Sequence, residues 1–521
     1  MSAAARTGAA AALKDGAREL SYAELADAVT RQAAALQTAG VRRFDRVAIY
    51  LPKSVENVTA MFAVAMTGGV FVPVNPLLKP AQVAHILSDS GARALVTSAD
   101  RLLGLQDALT ELSDLAVVLT VDAAPTEAAL TIPVLPLAQL TADAGRVIAP
   151  ATIDEDIVSI FYTSGSTGRP KGVVLTHRNM VTGAYSVASY LGNRPDDSLL
   201  AVLPFSFDYG FSQLSTAFHA GARVVLLNYL MPNDVLRAAA RDRITGLAGV
   251  PPLWIQLAAL DWPAAVSDNL RYITNSGGKM PEATLRTLRQ KVPSTRVFLM
   301  YGLTEAFRST YLPPELADQR PTSIGKAIPH AEILVLRPDG TECAAHEPGE
   351  LVHRGALVAR GYWRDEERTR ERFKPLPDRV SGLPLAEIAV WSGDLVTRDE
   401  EGFLYFVARN DEMIKTSGYR VSPTEVEEAL YSTQLVAGVV AFGVDHATLG
   451  QSIAVVVEPA AGREADTTAL LDAVKKQLPA FMVPAIVRWQ GDLPRNPNGK
   501  LDRSGIVRTH RPLIEAPTDA S

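Results

Sequence analysis

The chain has 521 residues, 47% hydrophobic and 21% charged, with a formal net charge of −6. That length exceeds one ordinary domain, so at least two units with a large buried core are expected, while mild acidity without a Lys/Arg run offers no footprint for nucleic acid or an anionic membrane. Cys343 is the single cysteine, which excludes a disulfide framework or a thiolate metal site and points to the reducing cytoplasm.

From the N-terminus, MSAAARTGAAAALKDGAREL is interrupted by Arg6, Lys14 and Asp15 where a secretory signal needs an unbroken apolar core, so it reads as a short lead-in. SYAELADAVTRQAAALQTAG has helical apolar spacing, with Ser21 placed as N-cap and Gly40 as C-terminal stop. RVAIYL then reads as a strand and SVENVTAMFAVAMTGG as a helix. The most apolar stretch, AMFAVAMTGGVFVPV, is broken by two glycines and a proline before it reaches the roughly 20 residues of a membrane span, so a buried helix and strand are expected there. Further strands at ARALVTS, ARVVLLN and TRVFLMYG complete an alternation that predicts layered α/β sheets. After GFLYFVARNDEMIKTSGYRVS the texture changes. A helix at PTEVEEALYS, strands at VAGVVAFGV and SIAVVVEP and a helix at ADTTALLDAVKKQL predict a compact α+β unit, and the last residues, THRPLIEAPTDAS, read as a loose tail. The expected division is 1–409 and 410–521, with a boundary near Asp411.

YTSGSTGRPKGV, residues 162–173, carries the chemistry. Pro170 separates Lys171 from Gly168, unlike a Walker loop, and the strand-like GVVLTH that follows is unlike the strand-to-helix turn of a dinucleotide fold. Gly165 and Gly168 open the backbone N–H groups, Thr163, Ser164, Ser166 and Thr167 add hydroxyl donors, and Lys171 adds a positive charge. Those groups suit a polyphosphate. A solvated Gly/Ser turn would explain a bare G-S-x-G but not the full stretch.

This loop has ordered companions: SGGKMP at 276–281, YGLTE at 301–305, SGD at 392–394, ARNDEMIKTSGYRVSPTEVE from Ala408 and PRNPNGKLDR from Pro494. Together they resemble the adenylate-forming superfamily of acyl-CoA synthetases, aryl-CoA ligases, luciferases and peptide-synthetase adenylation domains, over residues 18 to 505. VFVPVNPLLKP and DEMIKTSGYRVSPTEVE look most like the AMP-forming acyl-CoA ligases associated with exosortase gene clusters. The resemblance implies a two-step reaction with ATP and Mg²⁺. A carboxylate attacks the α-phosphate to give an acyl-adenylate and pyrophosphate; the thiol of coenzyme A, or of a carrier protein's phosphopantetheine, then takes the acyl group and releases AMP.

By the same resemblance Glu305 holds the metal and Thr304 donates to phosphate. Tyr301 with Gly277 and Gly278 sandwiches adenine, with Gly302 and Phe406 completing the nucleotide site, and Asp394 with Arg409 takes the ribose. Lys500 bridges carboxylate and α-phosphate during adenylation, and Asp411 is the hinge about which the small domain turns. The turned face brings Lys415 to the adenylate and Gly418 to the pantetheine tunnel, although KTSG alone could be a plain turn. Two features keep the acid open. LPFSFDYGF places Phe207 where many fatty and aryl ligases have a gating histidine. Asp208 beside it resembles the amino-group anchor of amino-acid adenylation domains, and Arg308 is either its counter-ion or a structural arginine. Phe205, Phe207, Phe211 and Trp254 are expected to crowd a long acyl chain. The partners implied are a small carboxylic acid and CoA or an acyl carrier protein, without nucleic acid or membrane, for a monomer or homodimer.

Overall fold

The structure, a computed structural model, describes residues 7–125, 130–143, 147, 150–163, 170–278, 280, 282–376, 384–409, 413–460, 462–494 and 501–515. The mixed α/β architecture read from the sequence is present: a large N-terminal unit built on two sheets and a small C-terminal unit on a third. Local signals act as expected. Helix Tyr22–Thr38 starts with Ser21, whose hydroxyl accepts from the Glu24 amide while the Glu24 carboxylate accepts from the Ser21 amide. Helix Val55–Met66 and strand Val70–Pro73 lie in the core rather than in a membrane span. No helix among the described residues is long and apolar enough to cross a membrane.

The seven-stranded sheet runs in the order Val134–Pro136, Val117–Thr120, Ala92–Thr97, Arg46–Tyr50, Val70–Pro73, Ile157–Thr163, Lys171–Thr176. All its neighbours are parallel except the last pair, which is antiparallel and pairs Thr163 with Lys171. The phosphate-loop stretch therefore joins two strands of one sheet, as its flanking residues predict. In the 14-stranded sheet, Ser198–Ala201, Gly246–Gly249, Tyr272–Asn275 and Arg296–Tyr301 are consecutive parallel neighbours. Buried on both faces, such strands read as short apolar runs. Beyond Arg296–Tyr301 the sheet turns antiparallel through Thr310–Leu312, Ser323–Ala327 and Leu404–Arg409 to Ile388–Arg398.

The small unit has a five-stranded sheet dominated by Val436–His446 and Gly450–Pro459, and a core of its own that includes Ile414, Val426, Val455 and Leu470. Asp411, the expected hinge, lies outside the described residues.

Candidate active site

The three parallel strands ending at Gly249, Asn275 and Tyr301 are neighbours, and the chain leaving each of them opens on one cleft of about 1450 Å³. Pro251, Ser276 to Gly278, and Gly302 to Thr304 line it. Ser206 to Asp208, which follow strand Ser198–Ala201, complete that wall. A ligand site outside the carboxyl ends of parallel strands is what this topology favours.

Beside the cleft-lining residues Pro170 and Thr304, but not themselves on its wall, three residues form a buried charge cluster. Lys171 Nζ donates to Glu305 Oε1 at 3.0 Å and to the Tyr362 hydroxyl at 2.7 Å, and that hydroxyl donates to Glu305 Oε1 at 2.7 Å. The ammonium also sits 4.2 Å from the Tyr362 ring centroid. Burial by itself raises the Glu305 carboxyl, but Lys171, Arg420 and the Tyr362 hydroxyl outweigh it and hold the group well below the usual carboxylate range. The same burial lowers the Lys171 ammonium, with Glu305 opposing, and raises the Tyr362 phenol. Glu305 is thus an ionised, 5% exposed carboxylate whose charge is met by cations on both domains.

Among the described residues no group of three or more His, Cys, Asp or Glu could hold a metal. A lone buried carboxylate fits Mg²⁺, which takes one or two protein carboxylates and fills its octahedron with phosphate oxygens and water.

Tyr301 and Asp394, placed in the nucleotide site by resemblance, come together here: the Tyr301 hydroxyl donates to Asp394 Oδ2 at 2.5 Å, and both line the cleft. Asp394 is buried and oriented by its own amide donating to Ser392 Oγ at 3.1 Å. Backbone register sets Arg409 opposite Asp394. Gly277, Gly278, Gly302 and Phe406 line the cleft as well, as does Thr163, whose Oγ1 is buried and without a hydrogen-bond partner.

On the wall formed by Ser206 to Asp208, Asp208 begins helix Asp208–Ala220 and is 4% exposed, with Oδ1 accepting from Thr304 Oγ1 at 3.1 Å. Thr304 therefore serves Asp208 in this state. Burial raises the Asp208 carboxyl, and Arg308 and Thr304 oppose that shift without reversing it. Phe207 lines the cleft. Trp254, expected there, does not: it is fully buried, and a Cβ added to Gly249 would lie 2.8 Å from its ring. Phe205 and Phe211 are buried too, the latter stacked 5.6 Å from Phe71 and edge-on to Phe161. Of the four aromatic residues expected to crowd an acyl chain, Phe207 alone is on the cleft wall.

The small unit presents its KTSGYR hairpin to this cleft. Ser417 and Gly418 form the two-residue turn between Ile414–Thr416 and Tyr419–Val421, with φ of 53° and 81°, the backbone a tight hairpin requires. A Cβ on Gly418 would meet Val250 at 2.8 Å, and the Gly418 carbonyl lies 3.9 Å from the Cβ position of Gly277. Lys415 and Arg420 pair across the hairpin and so share a face; Lys415 Nζ is 4.7 Å from the Phe406 ring, and both cations line the cleft. Ser164, Gly165, Ser166, Thr167, Gly168 and Lys500 lie outside the described residues.

Sequence reasoning missed Tyr362 and gave Arg420 no role. Arg420 sits inside a stretch singled out for its neighbours, whereas Tyr362, 191 positions from Lys171, carries no local signal.

Comparison with known proteins identifies the family. The AMP-binding enzyme family matches residues 2–363 and the AMP-binding enzyme C-terminal domain residues 425–500. Feruloyl-CoA synthase of Amycolatopsis sp is 30% identical, covering 96% of each chain. A linear gramicidin synthase of Brevibacillus parabrevis is 31% identical over 94% of this chain, which spans only 6% of that protein's length. The o-succinylbenzoate CoA synthetase of Bacillus subtilis bound with its product analogue superposes with a TM-score of 0.82 at 27% identity, covering 97% of this chain and 96% of that one. In complex with its acyl-adenylate intermediate, the same synthetase superposes at 0.68, with 28% identity and 97% of each chain covered.

Proposed function

This chain belongs to the AMP-binding enzyme family as an adenylate-forming ligase, and we propose that it activates a carboxylic acid with ATP and passes the acyl group to the thiol of coenzyme A. The observation that carries the second step is the seating of Gly418 against Val250 with Lys415 and Arg420 turned into the cleft. In this orientation the small unit offers its hairpin to the site. The higher similarity to the product-analogue complex than to the acyl-adenylate complex of one synthetase supports the same state.

In the first half-reaction a carboxylate oxygen attacks the α-phosphorus as the bond to pyrophosphate breaks. The residues 163–171 loop receives the polyphosphate and Lys171 exchanges Glu305 for a phosphate oxygen. Glu305 would hold Mg²⁺, which supplies neutralising charge between two anions. Lys500 bridges the attacking carboxylate and the α-phosphate. The chain then turns about Asp411, between units 1–409 and 410–521, and Lys415 takes the place of Lys500. The thiol sulfur attacks the acyl carbon, the acyl–oxygen bond breaks, AMP leaves and the thiol proton goes to solvent.

Free coenzyme A is favoured over a carrier's phosphopantetheine because His446, Arg508 and Arg511 line the same cleft on the small unit, where a nucleotide's phosphates would lie.

Pyrophosphate exchange over a panel of carboxylic acids, followed by thioester assays with CoA and with holo-carriers, tests the proposal. Exchange with at least one acid and AMP-forming thioester synthesis with CoA are expected; exchange with none overturns it. Lys500→Ala should slow adenylation by at least ~100-fold while leaving acyl transfer from supplied adenylate largely intact.

A further inference from the structure

Arg308 is among the largest fully buried side chains of the protein, 2% exposed, yet it lines the cleft. Its surroundings hold it firmly. Nη1 donates to Ser276 Oγ at 2.9 Å, and the guanidinium lies 4.7 Å from the Tyr209 ring centroid. The backbone that delivers it is strained: Phe307, just before it, has φ of 57°, and its ring is pinned against Gly183, where an added Cβ would lie 2.5 Å away. Non-glycine residues keep such backbone where the surrounding structure insists on it, commonly at binding sites.

What the surroundings leave undone is more informative. Nε and Nη2 are both buried and have no hydrogen-bond partner. These two nitrogens form one edge of the guanidinium, with parallel N–H bonds spaced to meet the two oxygens of a carboxylate. Nη1, on the other edge, is the nitrogen already used. Arg308 acts electrostatically on Asp208, but the two make no ion pair within 4 Å, and Asp208 Oδ1 is taken by Thr304. A buried donor fork with nothing on it is a standing cost that a ligand removes.

We propose that the acid activated here is a dicarboxylic acid, whose second carboxylate is received side-on by the Nε–Nη2 edge of Arg308. This rests on the adenylation reading and names its substrate class. An amino acid is the competing occupant, with its ammonium on Asp208. Such an ammonium would face the Arg308 guanidinium, whereas a carboxylate meets two donors already in place. Burial raises the Asp208 carboxyl, which weakens the repulsion a second carboxylate would feel there.

The test uses the full-length protein in pyrophosphate exchange with four- to six-carbon dicarboxylic acids, each beside its mono-amide, its ω-amino analogue and the plain monocarboxylic acid. One dicarboxylic acid should exceed its three counterparts in kcat/KM by about 100-fold or more, since a site built to hydrogen-bond a group rejects analogues lacking it. Arg308→Gln should erase that preference through KM for the acid while KM for ATP holds. Arg308→Lys, which keeps the charge but loses the fork, should retain about a tenth or less of the preference. Circular dichroism establishes that the variants are folded, and the wild-type ranking stands without them. A best substrate that is an ω-amino or plain acid, or a preference that survives Arg308→Gln, overturns the proposal. If no acid supports exchange, the adenylation reading fails, and calorimetry decides Arg308 separately. Binding of a dicarboxylate to wild type but not to Arg308→Gln supports the fork, and equal or absent binding overturns it.

Discussion

Gly418→Ala separates the two half-reactions by a single methyl group. The new Cβ would stand 2.8 Å from Val250 Cγ2, 3.0 Å from Cβ and 3.1 Å from Cγ1, all inside ordinary contact, and Val250 is buried and cannot swing away. Overpacking of this kind costs about 1–3 kcal/mol, which lowers the population of the docked orientation roughly 5- to 150-fold. The φ of 81° adds a further ~1–2 kcal/mol for any L-residue, but that strain is local to the hairpin and present in both orientations. Only the Val250 clash is orientation-specific. Pyrophosphate exchange should therefore stay within about threefold of wild type, while single-turnover transfer from pre-formed adenylate to CoA falls by the docking factor. Val250→Ala in the same chain removes the three close contacts and should restore most of the transfer rate, a coupling a double-mutant cycle measures directly. Equal loss in both half-reactions, or a double variant no better than Gly418→Ala alone, would refute the reasoning.

Tyr362→Phe deletes the hydroxyl that accepts from Lys171 and donates to Glu305. Hydrogen bonds to charged groups contribute about 1.5–3 kcal/mol, so kcat/KM for ATP should fall roughly 10- to 100-fold, and an unchanged value would make the hydroxyl a bystander. His353 is buried, its Nδ1 3.0 Å from Ser309 Oγ, and burial pushes its pKa down to about 3. The folded value lies below the unfolded one near 6.5, so this group's contribution is complete above pH ~6.5 and drains away as pH falls towards 3. Between pH 7.5 and 5 the urea midpoint of wild type should accordingly drop more than that of His353→Gln; parallel slopes would show that His353 does not titrate with unfolding.

The features legible in the sequence are those whose physics is local. Ser21 caps a helix because its hydroxyl and Glu24 satisfy adjacent amides, and the segment after Lys171 forms a strand because its residues are β-branched and apolar. The cleft-lining positions of Gly277, Tyr301, Asp394 and Gly418 were reachable by another route, since each lies in a stretch whose resemblance to a family carries its place with it. Trp254 shows where both routes stop. Its helix, Pro251–Ala258, is apolar on nearly every face, so no periodicity tells which side meets the cleft; packing against Gly249 turns the indole inward and leaves Pro251 and Ile255 on the wall. Tyr362 fails for a different reason. Its phenol matters only because strand Lys171–Thr176 and the turn Thr304–Ala306 bring Lys171 and Glu305 to it, a meeting of three distant segments. Arg308 lies between these cases. Its charge is plain in the sequence, but a guanidinium becomes a statement about substrate only once burial, the Ser276 contact and the empty Nε–Nη2 edge are known together, and each of those is a property of packing.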